Sequence, residues 1–203
     1  MPRENRKQKT TFQFKGKVIF FATGNFNKFN EARKILAEYD IATAMIRAKN
    51  LEIQSDSLKE IAEASAIDAY KTCHLPVIVE DAGLFVEALK GFPGPYAAYV
   101  YKTISNPGML KLMEEKKNRR ATFRSLLAYY DGQSEPSCFE GEAQGEIVFD
   151  ERWGTGKAGF GFDPIFSPKG SQKTFAEMSI EEKNGFSHRA NAFRKFAEWY
   201  MNP

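Results

Sequence analysis

Residues with the chemistry to bind a ligand are concentrated near the C-terminus. The run from Gly159 to Phe166 reads GFGFDPIF, and Lys183 and Ser187-His188-Arg189 follow it. Glycines at 159 and 161 allow a positive φ or a close approach of the backbone to a ligand. Together these residues supply aromatic faces, a carboxylate and several potential cations, a set that suits a flat ring carrying charge. We therefore expect a nucleotide to bind here.

A second stretch, Thr23 to Lys28, supplies the parts of a phosphate site. It joins a predicted buried strand, Val18 to Ala22, to a predicted helix, Asn27 to Glu38. In open α/β sheets, ligands bind at this carboxyl end of a strand. Backbone amides at the helix start, a hydroxyl and the Lys28 cation can hold an anion there. A capped turn with a solvated Lys28 fits the same residues equally well.

Two acidic positions could hold a metal ion. Glu80 and Asp81 close a predicted buried strand, Val77 to Val79, and because adjacent strand residues face opposite sides, one of the two carboxylates is expected to reach a cleft. Glu52 is a second acid flanked by apolar residues. Carboxylates bind Mg²⁺ through one or two contacts while phosphates and water supply the rest. For each acid alone, a helix cap or a surface charge remains an alternative, and it is the favoured one for Glu52.

The remaining pattern interleaves helices and strands. Ser57-Leu58-Lys59-Glu60 is a capping-box signature at the start of a helix. Long strands over 123–130 and 138–149 are predicted to form a hairpin through Asp131-Gly132. Ser187 is expected to cap a final helix. The order is that of an α/β fold with an antiparallel element in its second half.

Two glycine-containing stretches need separate interpretation. Gly91 to Tyr96 reads GFPGPY and predicts a rigid loop, since proline fixes φ while glycine relaxes it. Gly154 to Gly159 matches the dinucleotide-binding fingerprint letter for letter. That fingerprint needs a strand before it and a helix starting inside it, and glycine, phenylalanine and proline follow instead. We therefore assign it no role in dinucleotide binding.

Composition excludes several classes of protein. The chain has 203 residues, 14% of them aromatic, and a net charge of +3. Basic residues are frequent in residues 1–16, which we predict to be a disordered tail ahead of a single domain over 17–203. The rest is near neutral, so a large nucleic-acid-binding surface is not expected. Two cysteines favour a reduced, cytoplasmic setting, and no apolar run is long enough to cross a membrane.

Taken together, these blocks resemble the inosine triphosphate pyrophosphatase family, the Ham1 or RdgB-like diphosphatases of noncanonical purine nucleotides. The resemblance covers about residues 18 to 200. Its motifs are the stretch from Ala22 to Lys28 with Glu31, Glu80 to Leu84, Gly91 to Tyr96, Gly159 to Phe166, Thr174 to Met178, and Ser187-His188-Arg189.

The resemblance implies a Mg²⁺-dependent enzyme that converts ITP, dITP and XTP to the monophosphate and pyrophosphate. It implies an α/β fold in which an elongated mixed sheet with flanking helices forms two lobes around a substrate cleft, in a homodimer. Asp81 and Lys28 would be catalytic, with Glu52 and Asp81 holding the metal. The substrate-binding residues it implies are Thr23, Gly24, Asn25, Phe26, Asn27, Lys28, Ala82, Phe160, Gly161, Phe162, Asp163, Lys183, His188 and Arg189.

One residue departs from the family pattern. Ala82 stands where many relatives carry serine or threonine, so a hydroxyl contact to the substrate is absent or is replaced by the backbone amide.

Hydrogen-bond polarity offers a reason for base selection. Hypoxanthine and xanthine present an acceptor oxygen at C6, to which Arg189, and His188 if protonated, can donate. Adenine presents an amino group there, which would leave a buried donor unsatisfied at a cost of about 1 to 3 kcal/mol. Stacking on Phe160 or Phe162 would add roughly 1 to 3 kcal/mol without choosing among bases. A place in the core is an equal alternative for Phe162 in a chain with eighteen phenylalanines.

Two other functions remain open. A Maf-like nucleotide pyrophosphatase would act on pyrimidine or other modified nucleotides, and the blocks at 159–163 and 187–189 argue against it. A non-enzymatic nucleic-acid-binding module would use the basic tail and the aromatic residues, with strongly salt-dependent binding. The apolar setting of the acidic residues argues against that module.

Overall fold

A seven-stranded mixed sheet forms the centre of the protein in a computed structural model that describes residues 17–47, 53–155 and 159–202. The strands are β1 Lys17–Ala22, β2 Ile41–Ile46, β3 Val77–Val86, β4 Pro93–Gly94, β5 Arg120–Tyr130, β6 Ser137–Ile147 and β7 Phe166–Pro168. The helices are α1 Phe26–Ala37, α2 Leu58–Cys73, α3 Ala97–Thr103, α4 Ser105–Leu112, α5 Ile180–Asn184 and α6 His188–Met201. The predicted basic tail and Glu52 lie outside the described residues.

The strand order confirms a mixed α/β fold with helices on both sides of the sheet. The order is β2-β1-β3-β5-β6-β7, with β4 also paired to β3. Strand β1 is parallel to both β2 and β3, whereas β5, β6 and β7 continue the sheet in antiparallel fashion. The predicted hairpin joins β5 to β6. No helix among those described is both long and apolar enough to span a bilayer.

Strand β3 is longer than the sequence predicts, and this changes the place of the acidic pair. The expected strand ended at Val79, but β3 continues to Val86 and pairs with β5 over its whole length. The absence of a side chain at Gly83 permits this extension, since an added Cβ would lie 2.5 Å from the carbonyl oxygen of Gly94 on β4. Glu80 and Asp81 therefore lie within the sheet instead of after a strand.

Side-chain caps begin three of the helices, and the sequence predicts two of them, Ser57 and Ser187. The Asn25 side chain accepts hydrogen bonds from the amides of Asn27 and Lys28, so α1 starts just after the phosphate-like turn. Ser57 caps α2 and Ser187 caps α6, each through its hydroxyl. An N-cap acceptor satisfies amides that the first turn of a helix leaves unpaired. The short elements β2, β4, β7 and α3 to α5 were not predicted, although Ser179 and Glu182 form a capping box at the start of α5.

The core consists of three apolar clusters that follow the alternation of the strands. One cluster packs α1 and α6 against one face of the sheet and includes Ile78 and Phe193. A second packs α2 against the opposite face and includes Val77 and Val79. The third fills the far end of β3, β5 and β7, and it contains Phe162. Because successive side chains alternate between faces, Glu80 shares the α1 and α6 side with Ile78.

Gly141 should be indispensable for docking α6 onto the sheet. A Cβ at this β6 position would lie 2.1 Å from the carbonyl oxygen of His188 and 2.4 Å from the amide nitrogen of Ala192. Both obstacles are backbone atoms of α6, so they cannot rotate away. We expect Gly141→Ala to lower the free energy of unfolding by about 3 kcal/mol, the upper end of overpacking costs.

Urea denaturation measures this loss, and Gly24→Ala is the matched control. An added Cβ at Gly24 meets nothing within 4 Å. That variant should stay within about 1 kcal/mol of wild type, because Gly-to-Ala changes without strain are small. Equal stability of the two variants would show that the contact between β6 and α6 relaxes easily.

Candidate active site

The carboxylate of Glu80 is the meeting point of two distant parts of the sequence. It is fully buried on β3, on the side of the sheet that α1 and α6 cover. The Lys28 ammonium lies 2.9 Å from one carboxylate oxygen, and a guanidinium nitrogen of Arg189 lies 3.2 Å from the other. The Ser125 hydroxyl on β5 donates to the same carboxylate over 2.6 Å. The phosphate-like turn and the C-terminal block therefore converge on one side chain.

A second buried carboxylate extends this network toward the aromatic block. Glu31 on α1 accepts from Arg189 over 2.5 Å and from Lys183 over 2.7 Å. Lys183 also donates to Asp163 over 2.7 Å. An unbroken series of ion pairs thus leads from the N-terminal turn to the loop that follows Gly159. We call these six residues, Lys28, Glu31, Glu80, Asp163, Lys183 and Arg189, the ion-pair network.

The ion-pair network is electrically balanced, with three basic and three acidic groups. Burial alone would raise the pKa of Glu80, but Arg189, Lys28 and the Ser125 hydroxyl hold it well below its ordinary value. Burial alone would lower the pKa of Lys183, and Asp163 and Glu31 reverse this effect so that its pKa is raised. Since an unpaired buried charge is costly, these oppositely charged partners keep Glu80 and Lys183 ionised, whereas burial and the nearby Glu31 raise the pKa of Asp163.

His188 is buried and its pKa is lowered, so it is not one of the cations that the C-terminal block was expected to supply. Burial, together with the positive charges of Arg189 and Lys183, holds its pKa well below the ordinary value. The ring stacks on Phe123 at 4.7 Å between centroids and 9° between planes. Its Nδ1 and the Nε of Arg189 are buried without a hydrogen-bond partner among the described residues. His188 and Arg189 therefore each have one buried nitrogen that could form a hydrogen bond with a ligand.

The turn from Thr23 to Lys28 has the geometry of a capped strand-to-helix turn at the edge of the network. The Thr23 hydroxyl accepts from the Asn25 amide over 3.1 Å, and Asn25 in turn caps α1. Gly24 is open on the side where a Cβ would project, and Phe26 is 60% exposed. Ligand binding here stays a prediction. The Lys28 ammonium projects from this turn and also donates to the backbone carbonyl of Glu80 over 3.1 Å.

The aromatic block folds back on itself through Asp163. Its carboxylate accepts from the Phe160 amide over 2.8 Å as well as from Lys183. Gly161 has a φ of +60°, and a Cβ at Gly159 would lie 2.5 Å from the Cβ of Ala176. The expected positive φ occurs at Gly161, and the close approach at Gly159 is to Ala176 instead of a ligand. The loop geometry thus requires these residue types.

The structure distinguishes the two phenylalanines that were expected to stack on a base. Phe162 is 3% exposed and packs edge-on against Tyr101 in the core, where a ligand cannot reach its face. Phe160 is only partly buried, and its ring lies 4.8 Å from the Lys183 ammonium and 5.5 Å from the guanidinium carbon of Arg189. The expectation for Phe162 thus disagrees with its burial, and Phe160 is the better candidate.

Asp81 follows Glu80 on the opposite side of β3 and is half-buried, with Ala82 equally accessible beside it. Glu80 is not available as a metal ligand, because its two oxygens already accept from three donors. Within the described ranges, no three His, Cys, Asp or Glu side chains are grouped to hold a metal. A half-buried carboxylate such as that of Asp81 suits Mg²⁺, which takes most of its ligands from phosphate and water.

Sequence reasoning missed the part that three residues play in organising the ion-pair network. Glu31 had one usable signal, because it lies three residues after Lys28 and therefore on the same face of α1. Glu80 was recognised only as one of two adjacent acids, Glu80 and Asp81, either of which could reach the cleft. Ser125 carried no signal, since its contact depends on the register that pairs it with Ala82 across β3 and β5.

A cavity of about 910 Å³ lies elsewhere, at the far end of β5 and β6. It contains none of the residues predicted to bind substrate. The guanidinium of Arg119 there is turned inward and donates to the carbonyl groups of Met113, Ile147 and Val148. These bonds give Arg119 a structural role and leave few of its N–H donors for a ligand.

Comparison with known proteins gives one consistent result. The sequence profile of the Ham1 family matches residues 19–199. A curated dITP/XTP pyrophosphatase of Methanopyrus kandleri is 50% identical over 184 residues, covering 91% of this chain and 96% of that protein. A dITP/XTP pyrophosphatase of Thermococcus kodakarensis is 49% identical over 181 residues, covering 89% of this chain and 96% of that protein. The solved Ham1 protein of Staphylococcus aureus has a TM-score of 0.77 at 30% identity, covering 91% of this chain and 98% of that one.

Removal of Lys183 should destabilise the fold severely. Lys183→Met would leave Glu31 and Asp163 buried without their shared cation. Breaking a buried pair on one side costs about 3 to 5 kcal/mol. Lys173→Met is the control, because its ion pair with Glu182 has the same kind of partner but is exposed and should contribute little. Urea denaturation compares the variants, and equal midpoints would mean that the buried pairs are not needed for stability.

His188 should make the protein less stable as the pH falls below about 6.5, which is the ordinary pKa of a histidine side chain. Its pKa is lowered in the folded protein, so the unfolded chain binds a proton that the folded protein does not. Stability then decreases by up to about 1.4 kcal/mol per pH unit. His188→Gln should remove this component between pH 6.5 and 5, measured as urea unfolding at a series of pH values. His74→Gln, at an exposed position, is the control, and a slope unchanged in His188→Gln would contradict the assignment.

Proposed function

This chain belongs to the Ham1 family, and we propose that it hydrolyses ITP, dITP and XTP to the monophosphate and pyrophosphate. The names of its curated relatives support this activity. The observation that carries it is the convergence of Lys28 and Arg189 on Glu80. A triphosphate held at the N-terminal turn would therefore place its base toward the C-terminal block.

The reaction requires little covalent chemistry from the protein. Lys28 and the turn before it would hold the phosphate chain. Asp81 would take a proton from the water that attacks the α-phosphorus, the bond from that phosphorus to the bridging oxygen would break, and pyrophosphate would leave. Positioning and charge neutralisation supply most of the rate in phosphoryl transfer, so the fixed place of Lys28 is the protein's main contribution.

We also propose that the enzyme uses Mg²⁺, held by Asp81 together with Glu52. When bound, the ion would neutralise charge that develops on the phosphate oxygens. The accessibility of Asp81 supports this proposal. Glu52 comes from the family resemblance and lies outside the described residues. The two carboxylates would leave most of the ion's positions to phosphate and water.

Base selection would come from His188, Arg189 and Phe160. The purine ring would stack on Phe160, whose contacts with Lys183 and Arg189 hold it next to the network. A neutral imidazole keeps one N–H donor, and Arg189 Nε is always a donor. Facing the C6 oxygen of hypoxanthine, such a donor is satisfied. Facing the amino group of adenine, it stays unpaired at a cost of about 1 to 3 kcal/mol.

The cellular compartment, the oligomeric state and the absence of nucleic-acid and membrane partners stay predictions. Cys73 and Cys138 are both free thiols, which supports a reducing cytoplasm. A homodimer is implied by the family resemblance, and the near-neutral charge of residues 17–203 and the lack of a long apolar run are the reasons for expecting no nucleic-acid or membrane partner.

The activity is tested with ITP, XTP, dUTP, GTP and ATP in the presence of Mg²⁺, with pyrophosphate and orthophosphate measured separately. We expect pyrophosphate from ITP and XTP, and loss of turnover on chelation. Asp81→Asn should lower kcat by about 100-fold to 10,000-fold, the usual contribution of a general base. The exposed Asp150→Asn is the control and should retain wild-type turnover.

Three outcomes would contradict parts of this proposal. Release of orthophosphate alone would exclude attack at the α-phosphorus. Turnover that persists in chelator would exclude the metal. Near wild-type activity of Asp81→Asn would exclude Asp81 as the base.

A further inference from the structure

We propose that Glu80 is a positioning residue that couples the phosphate end of the substrate site to its base end, by holding Lys28 and Arg189 at the same time. This inference rests on the proposed function and adds to it a residue that touches neither phosphate nor base. On this proposal, the Glu80 carboxylate determines the distance between the phosphate end and the base end of the site.

The carboxylate of Glu80 contacts Lys28 and Arg189 at the same time. One carboxylate oxygen accepts from the Ser125 hydroxyl at 2.6 Å and lies 3.2 Å from Arg189. The other lies 2.9 Å from Lys28 and 3.4 Å from the same Arg189 nitrogen. The side chain is completely buried, so water cannot replace a lost partner. Movement of either cation therefore changes the interaction of the other.

The two cations stand at different ends of the proposed site. Lys28 is the most exposed member of the ion-pair network, with 18% of its side chain accessible, and it belongs to the phosphate turn. Arg189 is buried, and its guanidinium carbon lies 5.5 Å from the ring of Phe160. In the described part of the chain, Glu80 is the ion-pair partner that the two share.

Glu31 provides a natural comparison within the same network. It is as deeply buried as Glu80 and also binds Arg189, but its second partner is Lys183 instead of Lys28. Removing the charge of Glu31 should therefore disturb the base end directly, and it should reach Lys28 only weakly, through Arg189 and Glu80. Removing the charge of Glu80 should disturb both ends. A residue that merely supported the fold would produce no such division.

Calorimetric titration with three probes separates the two ends. The α,β-imido analogues of ITP and ATP report base discrimination as the ratio of their dissociation constants, and inorganic tripolyphosphate reports the phosphate end alone. In Glu80→Gln we expect the preference for the ITP analogue to fall at least fivefold and tripolyphosphate to bind at least fivefold more weakly. In Glu31→Gln only the preference should fall, with tripolyphosphate within twofold of wild type.

Controls separate this effect from loss of folded protein. The fitted stoichiometry reports the folded fraction, and neither a ratio of dissociation constants nor a dissociation constant depends on it. Glu142→Gln removes an exposed ion pair with Arg124 on the same sheet and should leave both measurements unchanged. If Glu80→Gln does not fold, Ser125→Ala keeps the carboxylate and removes one donor, and both measurements should shift about threefold in the same directions.

The inference is overturned if Glu80→Gln, or Ser125→Ala in its place, changes one measurement only or neither. These titrations need no turnover. Absence of pyrophosphate release from ITP by the wild-type enzyme would contradict the proposed function separately, while the binding data would still decide the role of Glu80.

Discussion

The cost of burying charge is the constraint on which this structure depends. Six ionisable side chains form the ion-pair network, and five of them are almost entirely removed from water. Taking one such charge out of water costs several kcal/mol unless a partner and further hydrogen bonds compensate. The network meets this condition by alternating acids and bases between α1, β3, α5, α6 and the loop at Asp163. The relative placement of these elements is therefore fixed by electrostatics as well as by apolar packing.

This constraint explains why backbone contacts around the network are so close. Helix α6 carries His188 and Arg189, and it can approach β6 only because Gly141 has no side chain. The loop after Gly159 reaches Ala176 by the same means. A shift of α6 by one side-chain diameter would separate Arg189 from both of its carboxylates. Small residues at these positions thus serve the charge network, and the network in turn positions the candidate site.

The sequence predicts those features that depend on local chemistry. Ser57 and Ser187 were identified as helix starts because a cap acts within a few residues. The end of β3 was placed wrongly, since an acidic pair within a strand is stable only with partners that lie far away in the chain. The burial of Phe162 could not be read from the sequence either, because it depends on α3 and α4 packing at the far end of the sheet. Long-range pairing of charges is the information that local patterns lack.

Charge balance within the network also limits how a triphosphate can be bound. Lys183 and Arg189 look like phosphate ligands in the sequence, but each is neutralised by two buried carboxylates. They contribute geometry and hydrogen bonds more than net positive potential. The charge of the phosphate chain must then be met by Lys28, the amides at the start of α1 and a cation from solution. A charge-balanced interior leaves most of the charge of a bound phosphate chain to be met from outside the network, and this supports the proposal that the enzyme uses Mg²⁺.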